Sequence, residues 1–338
     1  MMNSNGVKTL RDFSFQGKRV LLRCDLNVPL DDEGNITDDF RIEEAIPTIT
    51  YLLSHGAKVL LMSHLGEPHG KRVESLALGK VREKLFSYLD YSVAEAKGKI
   101  LLLENLRFHK EEEENDKEFS YALSKLGDIY INDAFSASHH RHASIAGITE
   151  FLPSGIGLLF KKEMETLERF RSNPPRPFLV IVGGKKAANK LSFVNAISEI
   201  ADTVLLGNLL AQKLSSRLGA KLLSTAKVVL PLDGQFDIGP KTLQLFTGHI
   251  QKAKSIFWTG PLGWIEKKEY VKGSLAVAIA IGKSKAFSVA GGGDLVGFLR
   301  SHHLEDKFSY LSTAGGAALA FLSGEKLPGL EALHYYGD

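Results

Sequence analysis

RVLLRCDLNVP (19–29) opens with a short apolar run, RVLLR, and turns polar at Asp25 and Asn27. Beyond it Ile42, Ala45, Ile46, Ile49, Leu52 and Leu53 recur at three- and four-residue steps, the period of a helix that packs one face. Gly56 stops that helix, and Pro47 is expected near its first turn, where a missing N–H is tolerated. KVLLM (58–62) then starts a second apolar run. Strand, helix and strand in succession predict a βαβ unit and therefore a parallel sheet. The rhythm continues at KILLL (99–103) and DIYIN (128–132). It resumes at FLVIV (178–182), TVLL (203–206), KVVL (227–230), SIFW (255–258), AFSV (286–289) and FSYLS (308–312). The fold class is α/β, each half carrying a parallel sheet with helices on both faces.

The length of 338 residues suits two domains, each able to bury its own core. KKEMETLERFRSNPPRP (161–177) reads as a charged helix halted by Pro174, Pro175 and Pro177, and the boundary is expected there. Charged residues are 24% and hydrophobic ones 44%, a globular composition. The net charge of +3 excludes a general nucleic-acid coat. Cys24 is the only cysteine, which excludes an internal disulfide and fits a reducing compartment, so a cytoplasmic location is expected. No secretory signal is visible at the N-terminus, and GSLAVAIAIG (273–282) is too short to span a membrane and reads as a buried helix. EEEE (111–114) reads as a solvated helix start.

In open α/β sheets ligands bind beyond the carboxyl ends of the strands. In the first half those ends carry Asp25, Asn27, His64, Arg107, His109, His139, His140, Arg141 and His142, a set suited to a small anion. In the second half they carry glycine: VGGKKAANK (182–190), WTGPLG (258–263), AGGGD (290–294) and TAGGA (313–317). Glycine lets backbone N–H groups approach phosphate oxygens, and a helix that begins there adds its positive end. Each signal has a plainer reading. One glycine pair is often only a tight turn, Lys186 and Lys190 could be surface charge at i, i+4 spacing, and Asp294 could cap a helix rather than meet magnesium. The HHRH cluster (139–142) lacks partners at zinc spacing. The P-loop, protein-kinase and dinucleotide fingerprints are absent; GIGLLF (155–160) lacks both a third glycine and a preceding strand.

RCDLNVP, SHLGEP, LLLENLRFH, INDAFSASHHRHAS, FWTGPLG, VAGGGD and LSTAGGA, in this order from about Gly17 to Leu333, resemble the phosphoglycerate kinase family. The resemblance implies two Rossmann-like domains joined by a hinge. It implies a phosphoglycerate-binding domain at 1–160, an interdomain helix and hinge at 161–177 and a nucleotide-binding domain at 178–312. The segment 313–338 would return to the first domain. The implied reaction is reversible phosphoryl transfer between 1,3-bisphosphoglycerate and ADP, giving 3-phosphoglycerate and ATP with Mg2+, by a monomer with neither nucleic-acid nor membrane partners. Arg41, Lys186, Lys190, Gly315 and Gly316 would serve the transferred group. Asp25, Asn27, Arg41, His64, Arg107, His140 and Arg141 would hold phosphoglycerate. Lys190, Gly207, Glu266, Gly291, Gly292, Gly293, Asp294 and Leu295 would hold nucleotide, with Asp294 also meeting the metal.

Several positions depart from the family pattern. Glu67 and His140 replace arginines, with Arg141 one place later, and Asn189 replaces an aspartate. Lys185, the GNLL segment (207–210), Thr259, Leu295 and Ala314 are also altered, and the stretches between Gly70 and Lys99 and between Leu214 and Asp237 are shortened. An inward Glu67 about 6 Å from a substrate charge would cost roughly 3 kcal/mol, and an outward one little. These departures keep a non-catalytic nucleotide-binding or scaffold protein as the competing reading.

Overall fold

The computed structural model describes residues 6–89, 98–184, 188–218 and 227–337. The chain divides into two compact units, one comprising residues 1–165 and 326–338 and the other residues 166–325.

In the first unit the elements run β1 (Arg19–Arg23), α1 (Phe40–Ser54), β2 (Lys58–Met62), α2 (Gly79–Tyr88), β3 (Ile100–Leu102), α3 (Lys110–Glu113), α4 (Lys117–Ser124), β4 (Ile129–Asn132) and β5 (Ser154–Ile156). The strands pair in the order β3-β2-β1-β4-β5, all parallel, with Val20 opposite both Val59 and Ile129. Strand alternation sends Val20 and Leu22 into one apolar cluster and Leu21 into another, so both faces of the sheet are buried. α5 (Leu158–Ser172) follows β5 and runs on past the boundary between the units.

The second unit holds β6 (Phe178–Val182), α6 (Ala188–Ser198), β7 (Thr203–Leu206), α7 (Asn208–Leu218), β8 (Lys227–Val229), α8 (Pro240–Lys252), β9 (Ser255–Thr259), α9 (Lys272–Lys283), β10 (Phe287–Gly291), α10 (Gly293–Ser301), β11 (Tyr310–Ser312) and α11 (Gly316–Leu322). Its sheet order is β11-β10-β9-β6-β7-β8, again parallel throughout. A short α12 (Pro328–Glu331) belongs to the first unit. Among the described residues no helix is long and apolar enough to cross a membrane.

Each sheet reverses its direction of winding once, between β1 and β4 in the first unit and between β6 and β9 in the second. Those reversals open crevices at the strand ends, and both candidate sites sit there.

Four expectations need correction. Pro47 lies in the interior of α1, not in its first turn. Ile42, Ala45, Ile49 and Leu52 are wholly or nearly wholly buried on the same helix. At roughly 1.5–3 kcal/mol per large apolar side chain, that burial outweighs the ~3 kcal/mol cost of an interior proline. The GIGLLF segment does contain a strand, since Gly155 and Ile156 belong to β5. α9 is buried on one face only, with Val277 and Ile281 inside and Ile279 exposed. Lastly, EEEE (111–114) is not uniformly solvated, because Glu112 is completely buried.

Candidate functional site

Asp25, just past β1, is the hub of the first site. Its Oδ1 accepts from the Asn27 backbone N–H at 3.0 Å. Its Oδ2 pairs with the Arg41 guanidinium and accepts from the Ser136 hydroxyl. Arg41, from the first turn of α1, also donates to Ser136 Oγ at 3.3 Å. Burial pushes its pKa down to about 10, which leaves the guanidinium charged at neutral pH. Ser136 follows β4, so this triad spans the crevice where the sheet reverses.

The peptide at Gly66 ties two further groups together. Its N–H donates to Asn27 Oδ1 at 2.9 Å, and its carbonyl accepts from Arg107 Nη1 at 3.0 Å. Arg107 is held from behind by Asn105, whose amide oxygen accepts the Arg107 N–H at 3.1 Å while its amide nitrogen donates to Leu65 and Leu76 carbonyls. Arg107 is buried, and its Nε has no hydrogen-bond partner, lying 3.8 Å from Glu113. A buried donor without a partner is a cost that an anionic ligand can remove.

His64, beyond β2, is buried, and Arg23 Nη2 lies 3.2 Å from its Nδ1. Burial, then the charges of Arg23, Arg107, Arg41 and His142, keep its pKa well below the ordinary imidazole value. His140 belongs to the same cluster. Its ring stacks on His142 at 4.8 Å and meets His139 at a tilt at 3.9 Å, and burial with the neighbouring cations lowers its pKa to about 4. It therefore brings a neutral donor or acceptor where the family pattern has a fixed positive charge. Arg141 is not brought into this cluster, because its guanidinium pairs with exposed Glu331 of α12. Glu67 is exposed, so solvent screens its charge, which still reaches Arg107.

Three residues that sequence reasoning missed support this site from beneath: Arg23, Ser144 and Glu112. A charged residue closing the buried, apolar stretch 20–22 of β1 was the available signal for Arg23. None marked Glu112, whose burial depends on Ser144, 32 positions away.

The second site is built from backbone. Gly184, Lys190, Thr259, Glu266, Gly292, Gly293, Asp294, Leu295, Gly315 and Gly316 line a cleft of about 390 Å3 between the ends of β6, β9 and β10. The loops after β6 and β9 close on each other through Gly183 N–H to Thr259 O at 2.8 Å and Gly184 N–H to Pro261 O at 2.7 Å. A Cβ on Gly183 would lie 2.2 Å from the Pro261 carbonyl oxygen, so only glycine permits that approach. Gly292 has φ +102 and begins α10, directing the first-turn N–H groups of that helix at the cleft. The space above Gly293 is open.

Lys190 in α6 donates from its ammonium to the Gly183 carbonyl and also lines the cleft. Asp294 makes no capping hydrogen bond. Gly292 is the N-cap, and the Asp294 carboxylate stands exposed in the first turn of the helix. An exposed carboxylate beside a phosphate-sized space would suit a magnesium ion that accompanies nucleotide phosphates. Gly207 and Gly291 are not among the lining residues; a Cβ on Gly207 would meet Leu262 at 3.1–3.2 Å, so that glycine serves packing. Lys185 and Lys186 lie outside the described residues.

The phosphoglycerate kinase family model matches residues 10–227 and 221–325. The phosphoglycerate kinase of Koribacter versatilis is 38% identical over 396 residues, covering 96% of this chain and 98% of that protein. That of Finegoldia magna is 37% identical over 390 residues, with the same coverages. Alignments longer than the 338-residue chain must open gaps in it, and the two family-model segments meet at 221–227, inside one of the stretches expected to be shortened. Among solved structures, phosphoglycerate kinase from Coxiella burnetii superposes with a TM-score of 0.82 at 30% identity, covering 98% of this chain and 100% of that one. The enzyme from Pyrococcus horikoshii gives 0.85 at 30% identity, covering 96% and 98%. Convergent polar groups at one sheet reversal, a glycine-lined cleft at the other, and full-length similarity agree: the chain belongs to the phosphoglycerate kinase family.

Proposed function

We propose that the chain performs the family's glycolytic step with phosphoglycerate held in the first unit and ADP or ATP in the second, the segment 161–177 serving as the hinge. The observation that carries this reading is the grouping of Arg41, His64 and Arg107 around Asp25, Asn27 and the Gly66 peptide. Three cationic or donor side chains, one of them with an orphaned N–H, match a ligand that bears a phosphate and a carboxylate.

In the ATP-consuming direction the nucleophile is a carboxylate oxygen, ionised at neutral pH, so no general base is needed. What the protein supplies is position and charge. Asn27, His64, Arg107 and His140 orient phosphoglycerate. Arg41 donates to the transferred phosphoryl group, and Asp25 sets the guanidinium's orientation before the ligand arrives. Lys190, with Lys186 as its companion, and the amides of Gly315 and Gly316 hold the same group from the nucleotide side. Glu266 bonds the ribose, and Asp294 holds magnesium, which when bound neutralises charge on the nucleotide phosphates. The protein acts in the cytoplasm, a reading supported by the lone Cys24, and acts as a monomer, as the family resemblance implies.

The test is a coupled assay with 3-phosphoglycerate, ATP and magnesium. Wild type turns over, and Arg41→Ala lowers kcat by about 10²- to 10³-fold, the usual effect of losing one aligned electrostatic donor. A wild type that binds nucleotide but never turns over would instead establish the scaffold reading.

A further inference from the structure

Arg23 ends β1 with its side chain completely buried, and each of its three side-chain nitrogens has a partner. Nε donates to Ser144 Oγ at 2.8 Å, Nη1 to the Cys24 carbonyl, and Nη2 reaches His64 Nδ1 at 3.2 Å. A guanidinium has donors and no acceptor. In this contact His64 Nδ1 must therefore be the acceptor, and the ring's single proton sits on Nε2. Ser144, having accepted from Arg23, gives its own hydroxyl proton to Glu112 Oε1 at 2.5 Å, and its backbone N–H donates to Glu112 Oε2 at 2.9 Å. Tyr130 bonds the Ser144 carbonyl at 2.6 Å and fixes that segment from the neighbouring strand.

We infer that Arg23 is a positioning residue for phosphoryl transfer, locking His64 in the Nε2–H form so that the ring presents a donor to the anion, and that buried Glu112 holds Arg23 in place through Ser144. The inference rests on the assignment of His64 to the phosphoglycerate site. The charged and titratable groups facing the ring are Arg23, Arg107, Arg41 and His142, and burial together with these groups keeps it neutral. For a neutral imidazole the tautomer decides whether an anion meets an N–H or a lone pair. Arg23 thus acts on the ligand through His64, and the counter-charge of Glu112 makes a buried arginine tolerable there.

Long-range ¹H–¹⁵N spectra of the full-length protein with ring-labelled histidine, His64 being identified by its loss in His64→Gln, read the tautomer directly. The expected wild-type pattern is an unprotonated Nδ1 and a protonated Nε2 at pH 7. Arg23→Met combined with Glu112→Gln removes both buried charges together. This double variant should show averaged tautomers and a KM for 3-phosphoglycerate about tenfold higher, with the nucleotide KM within about twofold. Ser144→Ala, which deletes the link without touching a charge, should move both readouts in the same direction by a smaller amount. A wild-type His64 protonated on Nδ1 overturns the proposal without any variant, so it stays testable even if the double variant does not fold. Wild-type tautomer and KM in the folded double variant overturn it too. An unchanged phosphoglycerate KM in His64→Gln would sink the site assignment instead, a different failure with a different signature.

Discussion

The two ligand sites occupy equivalent places, one at each sheet reversal, yet they are made of different material. The first is assembled from side chains: Arg41, His64, Arg107 and Asn27, brought from the ends of three strands and one helix. The second is mostly backbone, glycine loops and the start of α10, with Lys190, Glu266 and Asp294 as the main polar additions. A compact ligand with a phosphate and a carboxylate needs charge at defined points, which only side chains supply. A polyphosphate presents many equivalent oxygens, and rows of N–H groups match them at little cost in side-chain ordering.

That contrast can be broken or sharpened by substitution. The largest effect on ligand binding is expected at Arg107, a buried charged donor. Arg107→Gln should raise the KM for phosphoglycerate about thirtyfold, equivalent to ~2 kcal/mol, in steady-state kinetics with nucleotide saturating. An equal rise in the nucleotide KM would break the division.

Acid should separate the two regions next. Burial keeps His64 far below the ordinary imidazole range and lowers His140 to about 4 and His142 to about 3. The native first unit thus refuses protons that the unfolded chain takes up near pH 6.5, and stability present above that pH is lost as pH falls toward 4. Asp133 works in the opposite sense. Burial raises its carboxyl from 3.8 to about 7, so its native penalty eases as pH falls from 7 toward 4. Asp133→Asn removes that relief while an amide oxygen still accepts from Phe160 N–H. Between pH 7 and pH 5 the variant should lose about 2 kcal/mol more stability than wild type in hydrogen exchange at β1 and β4, with β6 unaffected. Equal losses in the two proteins would show that Asp133 ionises freely.

The smallest effect is expected at Glu67. Because its side chain is exposed, Glu67→Arg should lower the phosphoglycerate KM only about two- to fivefold. A hundredfold gain would mean that Glu67 turns inward to the ligand.

Much of this architecture was legible in advance, for a physical reason. β1, β2, β6 and β7 coincide with the apolar runs at 19–23, 58–62, 178–182 and 203–206, because a parallel strand buried on both faces must be apolar along its length. β5 was missed because three residues that include a glycine carry no such run. The polar residues that define the first site followed from their place at strand ends. Their partners did not: Arg141 and His140 are adjacent, yet one pairs with Glu331 on the surface and the other packs between His139 and His142. Glu112 shows the same limit, since whether a glutamate in an acidic run is solvated depends on which residues the fold places against it, here Ser144 and Arg23.

The division of labour between side chains and backbone is tested most directly by calorimetric titration of 3-phosphoglycerate and of ADP, separately, into wild type, Arg107→Gln and Gly292→Ala. Gly292 has φ +102, a conformation that strains alanine, so the second variant perturbs the loop that begins α10. The expected result is a double dissociation: Arg107→Gln weakens only phosphoglycerate, and Gly292→Ala weakens only ADP, by about tenfold. Loss of ADP binding in Arg107→Gln, or of phosphoglycerate binding in Gly292→Ala, would contradict the assignment of the two ligands to the two sites.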